Sequence, residues 1–190
     1  MHRKSLIEQL TVYTPFDSQE RAKHQQMLAF LSRNKNGFHN THLPGHITGS
    51  AWVLDSTKTK VLMTHHVKLG LWLQLGGHAD GSENILDVAL REAEEESGLD
   101  SIQPLSHHIF DVDVHAIPER KHFPNHFHYD VRFLFEADVT EPFHVSHESF
   151  NLQWIDIEEV RRFNDEDSIL RLVEKSERIN LMSFLESGYW

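Results

Sequence analysis

Apolar positions along the chain change period several times, and each change marks an element. Leu6, Leu10 and Tyr13 follow the spacing of one helical face and predict a short helix near the start. Asp17 to Glu20 resembles a capping box, which opens a second helix carrying Met27, Leu28 and Leu31 to about Asn34. The stretch NKNGFHNTHLPGH is turn-rich. From His46 the pattern becomes strand-like: ITGSAWVL, KVLMTHHV and LWLQLGGH are short β-type segments, broken at Asp55-Ser56 and at Lys68 to Gly70. Helical spacing returns from Asn84 to Ser97, where Leu86, Leu90, Ala93 and Ser97 define one stripe expected to be buried. Beyond it two segments alternate. Phe110, Val112 and Val114 oppose Asp111, Asp113 and His115; Phe127, Tyr129, Val131, Phe133 and Phe135 oppose His128, Asp130, Arg132 and Leu134. A last strand, NLQWIDI, runs toward a helix that Asp156 and Glu159 would cap, and a further helix is expected over about residues 167–186. Strands on both sides of one long helix predict an α/β fold with a mixed sheet.

Length and charge narrow the reading. At 190 residues the chain should form one domain, or one domain with an appended element. Hydrophobic residues at 39% and charged residues at 25% are the balance of a globular protein, not a disordered one. The formal net charge of −11 argues against DNA or long RNA as a partner, because phosphate contacts need clustered Lys and Arg. It also implies that a phosphate-bearing substrate would need a metal to approach. Cysteine is absent, which removes disulfides, thiolate zinc sites and cysteine nucleophiles. No stretch has signal-peptide or membrane-spanning character, so a cytoplasmic protein without membrane association is expected.

Residues 77–99, GHADGSENILDVALREAEEESGL, hold the densest chemistry. Glu92, Glu95 and Glu96 are spaced by three and one, so their carboxylates converge on one side of the predicted helix. Gly98 stands where a left-handed C-terminal cap is expected. Alone the arrangement is unfavourable: the like-charged pair Glu92/Glu96 costs roughly 0.2–0.5 kcal/mol and lies near the negative end of the helix dipole. A hard divalent cation reverses both effects, and carboxylate oxygens suit Mg2+ or Mn2+. The plainer alternative is a solvated acidic helix face. The positions of Gly77, Glu83, Arg91 and Gly98 around the glutamates weigh against it.

That order resembles the box of the Nudix hydrolases, G-x5-E-x7-R-E-U-x-E-E-x-G-U, where U is a bulky aliphatic residue; one aliphatic slot departs, filled by the smaller Ala93. The resemblance implies an α/β/α sandwich over residues 46–163, with an N-terminal helical extension at 1–45 and a C-terminal helix at 164–190 packing on the domain. It implies a hydrolase that cleaves a phosphoanhydride of a nucleoside triphosphate or other nucleoside diphosphate derivative, by attack of water on phosphorus. Carried over by position, Glu92, Glu95 and Glu96 would be metal ligands, joined by the backbone carbonyl of Gly76 or Gly77. Arg91 would pair with Glu83 and hold loop and helix in place. A further carboxylate often comes from a loop before a late tryptophan strand. Glu148, six residues before Trp154, is the candidate for general base or added ligand, with Glu141 behind it. Family members often dimerise, so a homodimer is a further expectation.

Cues to the substrate mostly fail. Leu75 stands before Gly76-Gly77 where the family most often has proline, and His115 occupies the place of the proline that marks ADP-ribose hydrolases. The tyrosine of dinucleoside polyphosphate hydrolases is missing, with Ala116 and Ile117 in its neighbourhood, and no coenzyme A motif is visible. Isopentenyl diphosphate isomerases of the familiar type use a cysteine that this chain lacks. Trp52, Trp72, Phe110, Tyr129 and Phe150 are aromatics that could stack on a base, although each fits a core position better. A silent nucleotide-binding module would be the alternative from another class, but it usually carries a degraded box.

Histidine is the second compositional oddity, with 16 residues. HFPNHFH gives an H-x3-H-x-H spacing, and on a strand His126 and His128 share a face with Asp130 and Arg132. They are expected either to line a substrate pocket together with His78 and Arg132 or to hold a borderline metal such as Zn2+. Solvated imidazoles are the plain alternative. A histidine-rich metal-binding protein with an incidental acidic helix is a third, less favoured class.

Overall fold

Strand β1 (Gly45–Asp55) organises the chain, because all eleven of its residues are buried. The computed structural model describes residues 2–119, 123–146 and 149–186. Along one edge β1 runs parallel to β7 (His126–Ala137), in unbroken register from Gly45 opposite Phe127 to Asp55 opposite Ala137. Its other edge is divided. Strand β2 (Lys60–His66) pairs antiparallel only near the far end, at Val53↔Leu62 and Leu54↔Val61. The chain then turns through β3 (Trp72–Leu73), and β4 (Leu75–His78) takes over the near end, from Thr48↔His78 to Ala51↔Leu75. Strand β6 (Asp111–Ile117) and the two-residue β5 (Gln103–Pro104) lie antiparallel on the outer edge of β7, and β8 (Ser149–Asp156) on β2.

The period of two along β1 sorts its side chains between two cores. Ile47, Ala51 and Val53 join a cluster with α1 (His2–Val12), α2 (Ser18–Arg33) and α3 (Ile85–Ser97), through residues such as Leu10, Met27, Leu31, Val88 and Ala93. Trp52 and Leu54 face the other way, onto a 3-10 helix at Ile157–Arg162 and onto α4 (Asp167–Glu186), through Val160, Ile169 and Leu172. The result is the expected α/β/α sandwich around a mixed sheet. Among the described residues no helix is long and apolar enough to cross a membrane.

Where structure and pattern differ, the reason is contact with a distant element. The α2 cap forms: the Asp17 carboxylate accepts the Glu20 N–H at 2.7 Å. The Glu20 carboxylate turns back to the Phe16 N–H at 2.6 Å, one residue further out than a capping box requires. On α3 the buried stripe is Ile85, Val88, Ala89, Ala93, Glu96 and Ser97, with Leu86 and Leu90 only partly covered. The helix is rolled toward β4, which draws Glu96 inward. Asp156 precedes the element at Ile157–Arg162 without a side-chain capping bond, so the capped helix expected there is a six-residue 3-10 helix, about two turns long.

The largest departure is the polar side of β6 and β7, which alternation would assign to solvent. Asp111, Asp113, Asp130 and Arg132 are all buried. Arg171 and Lys175, one helical turn apart on α4, reach the Asp111 carboxylate at 2.7 Å each, and Lys175 also reaches Glu20 of α2 at 2.6 Å. Arg132 lies 2.8 Å from Asp130 and 3.2 Å from Asp111. Burial works against the charge of Asp111, but Arg171, Arg132 and Lys175 outweigh it and hold its pKa below the ordinary range. Asp113 is lowered against burial in the same way, by His115 and Arg132.

Candidate functional site

The acidic helix meets the sheet at its C-terminal half. Gly98 ends α3 in the left-handed region (φ 68°), and its N–H donates to the Glu94 carbonyl at 2.7 Å, as the sequence predicts. One turn earlier the helix touches β4. The Gly76 N–H donates to Glu96 Oε2 at 3.1 Å, and Glu96 is only 8% exposed. Gly77 packs directly on Glu92: a Cβ built there would fall 2.3 Å from both Cδ and Oε2 of that glutamate. Glycine at 77 therefore lets the Glu92 carboxylate lie directly against the strand.

Arg91 lies across the outer side of the glutamates, 2.7 Å from Glu92 and 3.1 Å from Glu95, with a longer 3.4 Å bond to the His78 carbonyl. Its pKa is raised, because Glu92 and Glu95 outweigh the opposing effect of burial. Glu83 Oε2 accepts the Arg3 backbone N–H at 2.8 Å. Glu92 has a raised pKa. Burial is the main cause, with Glu95 and Asp80 adding to it and Arg91 working the other way. Glu92 and Glu95 thus share one arginine, beside the Glu96 carboxylate that accepts the Gly76 N–H, a concentration of acidic groups that a divalent cation would neutralise. An all-oxygen donor set of this kind fits Mg2+ or Mn2+.

The other side of β4 is lined with imidazoles. His78, His126 and His128, expected to face substrate, do come together, with the His126 and His128 Nε2 atoms 3.3 Å apart. His46 of β1 stands among them and went unnoticed in the sequence, where its only signal is a place on the same strand face as Thr48 and Ser50. Arg132 does not join this group at the surface. It is 2% exposed, and its guanidinium is held by Asp130, Asp111 and the Ser168 carbonyl. Asp130 in turn accepts from Thr48 Oγ1 at 2.8 Å, Ser50 Oγ at 2.7 Å and Gln74 Nε2 at 3.2 Å, three residues that sequence reasoning missed. Glu148 and His122 lie outside the described residues. Glu141 accepts the backbone N–H groups of Asp100 and Ser101, at 2.9 and 3.1 Å, and serves as a loop brace.

Of the aromatic candidates, Trp52 is core and donates through Nε1 to Ser176 Oγ at 2.8 Å, while Tyr129 stacks on Phe30 at 3.9 Å. Trp72 stacks on His65 (5.1 Å, 10°), with the 63% exposed Phe150 on the far side of that ring at 5.4 Å.

Comparison with known proteins agrees with this geometry. No curated protein sequence matches the chain. Among solved structures it is similar to an Ap4A hydrolase from C. elegans, with 16% identity, a TM-score of 0.53, and 75% of this chain and 98% of that one covered. A NUDIX-family hydrolase from Clostridium perfringens matches with 24% identity and a TM-score of 0.53, over 70% and 97% of the two chains. The dihydroneopterin triphosphate pyrophosphohydrolase of E. coli matches with 13% identity and a TM-score of 0.54, over 68% and 92%. At these identities the likeness concerns the fold. The NUDIX domain model matches residues 46–175, and with its box seated on α3 and β4 this chain belongs to the Nudix family of hydrolases, which act on pyrophosphate bonds.

Proposed function

We propose that the chain is a divalent-metal-dependent pyrophosphohydrolase that cleaves a phosphoanhydride of a nucleoside triphosphate or another nucleoside diphosphate derivative. The observation that carries this reading is the packing of Glu92 and Glu96 against the Gly76-Gly77 backbone, with Glu95 joined to Glu92 through Arg91. Glu92, Glu95 and Glu96 would hold Mg2+ or Mn2+ together with a carbonyl of the Gly76-Gly77 pair. The metal, when bound, supplies charge neutralisation for the pyrophosphate oxygens and a more acidic water. Arg91 positions Glu92 and Glu95 through the two ion pairs described above. Glu148 is the proposed proton acceptor for the attacking water. Phe150 and the His65–Trp72 stack offer an aromatic surface for a base. We place the reaction in the cytoplasm, with a small nucleotide as the partner.

The test is a panel of nucleoside triphosphates, dinucleoside polyphosphates, nucleotide sugars and ADP-ribose, incubated with Mg2+ or Mn2+ while phosphate or pyrophosphate release is read. One preferred substrate is expected, silent in EDTA and silent in the Glu95→Gln and Glu96→Gln variants. Full turnover in a folded double variant would refute the assignment.

A further inference from the structure

A row of imidazoles crosses four adjacent strands on the sheet face opposite α3. His46 lies opposite His128 in the β1–β7 register, His128 lies opposite His115 in the β7–β6 register, and His78 lies opposite Thr48 on the other side of β1. One ring nitrogen each from His46, His78 and His128 falls within 4.8 Å of the others. Ring centroids are 4.8 Å apart for His46 and His128, 4.9 Å for His46 and His78, and 5.0 Å for His46 and His126.

Two features separate this group from a chance accumulation of histidines. The first is His46. It is 1% exposed, and neither ring nitrogen has a hydrogen-bond partner among the described residues. A buried polar group left unsatisfied costs roughly 1–3 kcal/mol, so a native structure needs a reason to keep one. The second is tautomer control in the neighbouring rings. His126 Nδ1 lies 2.9 Å from the Pro124 carbonyl, and His115 Nδ1 lies 3.2 Å from the Asp113 carboxylate. Both partners only accept, so Nδ1 carries the proton in each ring and Nε2 presents a lone pair. His126 Nε2 then points that lone pair at His128 Nε2, 3.3 Å away. A carboxylate or carbonyl behind an imidazole is the usual way to orient a metal-ligating histidine.

We propose that His46, His78 and His128, with His126 as a fourth donor, bind a borderline divalent transition metal ion such as Zn2+ at a site distinct from the glutamates of α3. Neutral nitrogen donors select this class of ion over Mg2+, just as the carboxylates select the reverse. Tetrahedral bonds of about 2.0–2.1 Å set ligand nitrogens about 3.4 Å apart, so the rings need close by only about 1.4 Å, within reach of side-chain rotation. The ion would tie β4, β1 and β7 together at the end where Gly77 packs on Glu92.

The metal-stripped full chain is titrated with Co2+, and visible absorption and calorimetric stoichiometry are recorded. With excess Mg2+ present to occupy the glutamates of α3, one equivalent is expected to bind with ligand-field bands of nitrogen coordination, displaced by Zn2+. His128→Ala and the near-surface His78→Asn, each checked for native circular dichroism, should lower the affinity about 100-fold or more, the scale at which even supporting partners of a ligand matter. The Glu95→Gln/Glu96→Gln double variant should bind Co2+ as the parent does. Bands that persist in both histidine variants, bands lost with the glutamates, or no bands at all would each overturn the proposal.

Discussion

The Gly77→Ala variant is expected to separate the geometry of the acidic site from the stability of the fold. The added Cβ would lie 2.3 Å from Glu92 Cδ and Oε2, whereas ordinary contact begins at 3.4 Å. The carboxylate must therefore retreat by about 1.1 Å. It can, because it is the end of a flexible side chain and not backbone. Gly77 is not among the residues with positive φ, so alanine fits the local conformation, and the reduced freedom of the unfolded chain returns about 0.4–1 kcal/mol. Against that stands weakening of the Arg91–Glu92 ion pair, in which Arg91 is partly exposed and whose value is therefore about 1 kcal/mol or less. The two nearly cancel, so a denaturant titration should show a change within about 1 kcal/mol. Activity should not be spared: displacement of a reacting-site group by ~1 Å can cost about 100-fold in rate, equivalent to about 2.7 kcal/mol of barrier. The assay is kcat/KM for pyrophosphate-bond hydrolysis beside a chemical denaturation curve. A variant with parental kcat/KM would show that close packing of Glu92 on Gly77 is irrelevant to turnover. A variant unfolded by several kcal/mol would show that the strand–helix approach is too rigid to yield.

Three further outcomes follow from the buried charges and the helix end. Asp111→Ala should cost about 3–5 kcal/mol in denaturation experiments, because it strands Arg171 and Lys175 without their shared carboxylate; a loss under about 1 kcal/mol would mean that the cations find water or other acceptors. The pKa of Asp111 is lowered in the folded state, so the native form binds fewer protons than the unfolded one. Its stabilisation is complete above the ordinary carboxylate pKa of about 3.9 and is lost as pH falls through the lower folded value. Acid titration of Asp111→Asn should accordingly show a flatter stability profile below pH ~4 than the parent. Gly98→Ala should destabilise by about 1–2 kcal/mol, since φ is 68° there, and Gly98→Asn should lose less; equal losses would point instead to crowding against His144, 3.2 Å from the built Cβ.

The box was legible because its information is local. Spacing of one, three and four residues fixes where Glu92, Glu95 and Glu96 project, and a glycine after the last polar turn fixes where the helix ends, whatever the rest of the chain does. The strands of β6 and β7 were legible for the same reason: their alternation correctly puts Val112, Val131 and Phe133 on the α3 side. What alternation cannot say is whether the second face meets solvent or protein. Asp111, Asp130 and Arg132 read as a wet face until α4 is known to lay Arg171 and Lys175 across it. The sequence did carry a hint in those two cations, four residues apart on a helix otherwise apolar toward the sheet. Pairing them with Asp111, 60 and 64 positions earlier, and Arg171 with Asp113 as well, requires the sheet order, which pattern alone does not specify.

The same distinction explains why His46 escaped notice while His78 did not. His78 follows a motif residue, whereas His46 acquires meaning only from the β1–β7 register that sets it opposite His128. Strand β4 then joins the two chemistries. Its pleat sends the Gly77 position toward Glu92 and, one residue on, His78 toward the imidazoles. A shift of β4 along β1 by one residue would exchange those faces, putting an imidazole into Glu92 and a glycine among the histidines. Both sites therefore depend on one register, Thr48 opposite His78 and Gly49 opposite Gly77. The Asp130 carboxylate works in its favour, because it accepts from Thr48 and Ser50 on β1 and from Gln74 at the entrance to β4, binding the two strands from below. The buried aspartate beneath the histidines is thus as much a part of the acidic site's geometry as the helix that carries the glutamates.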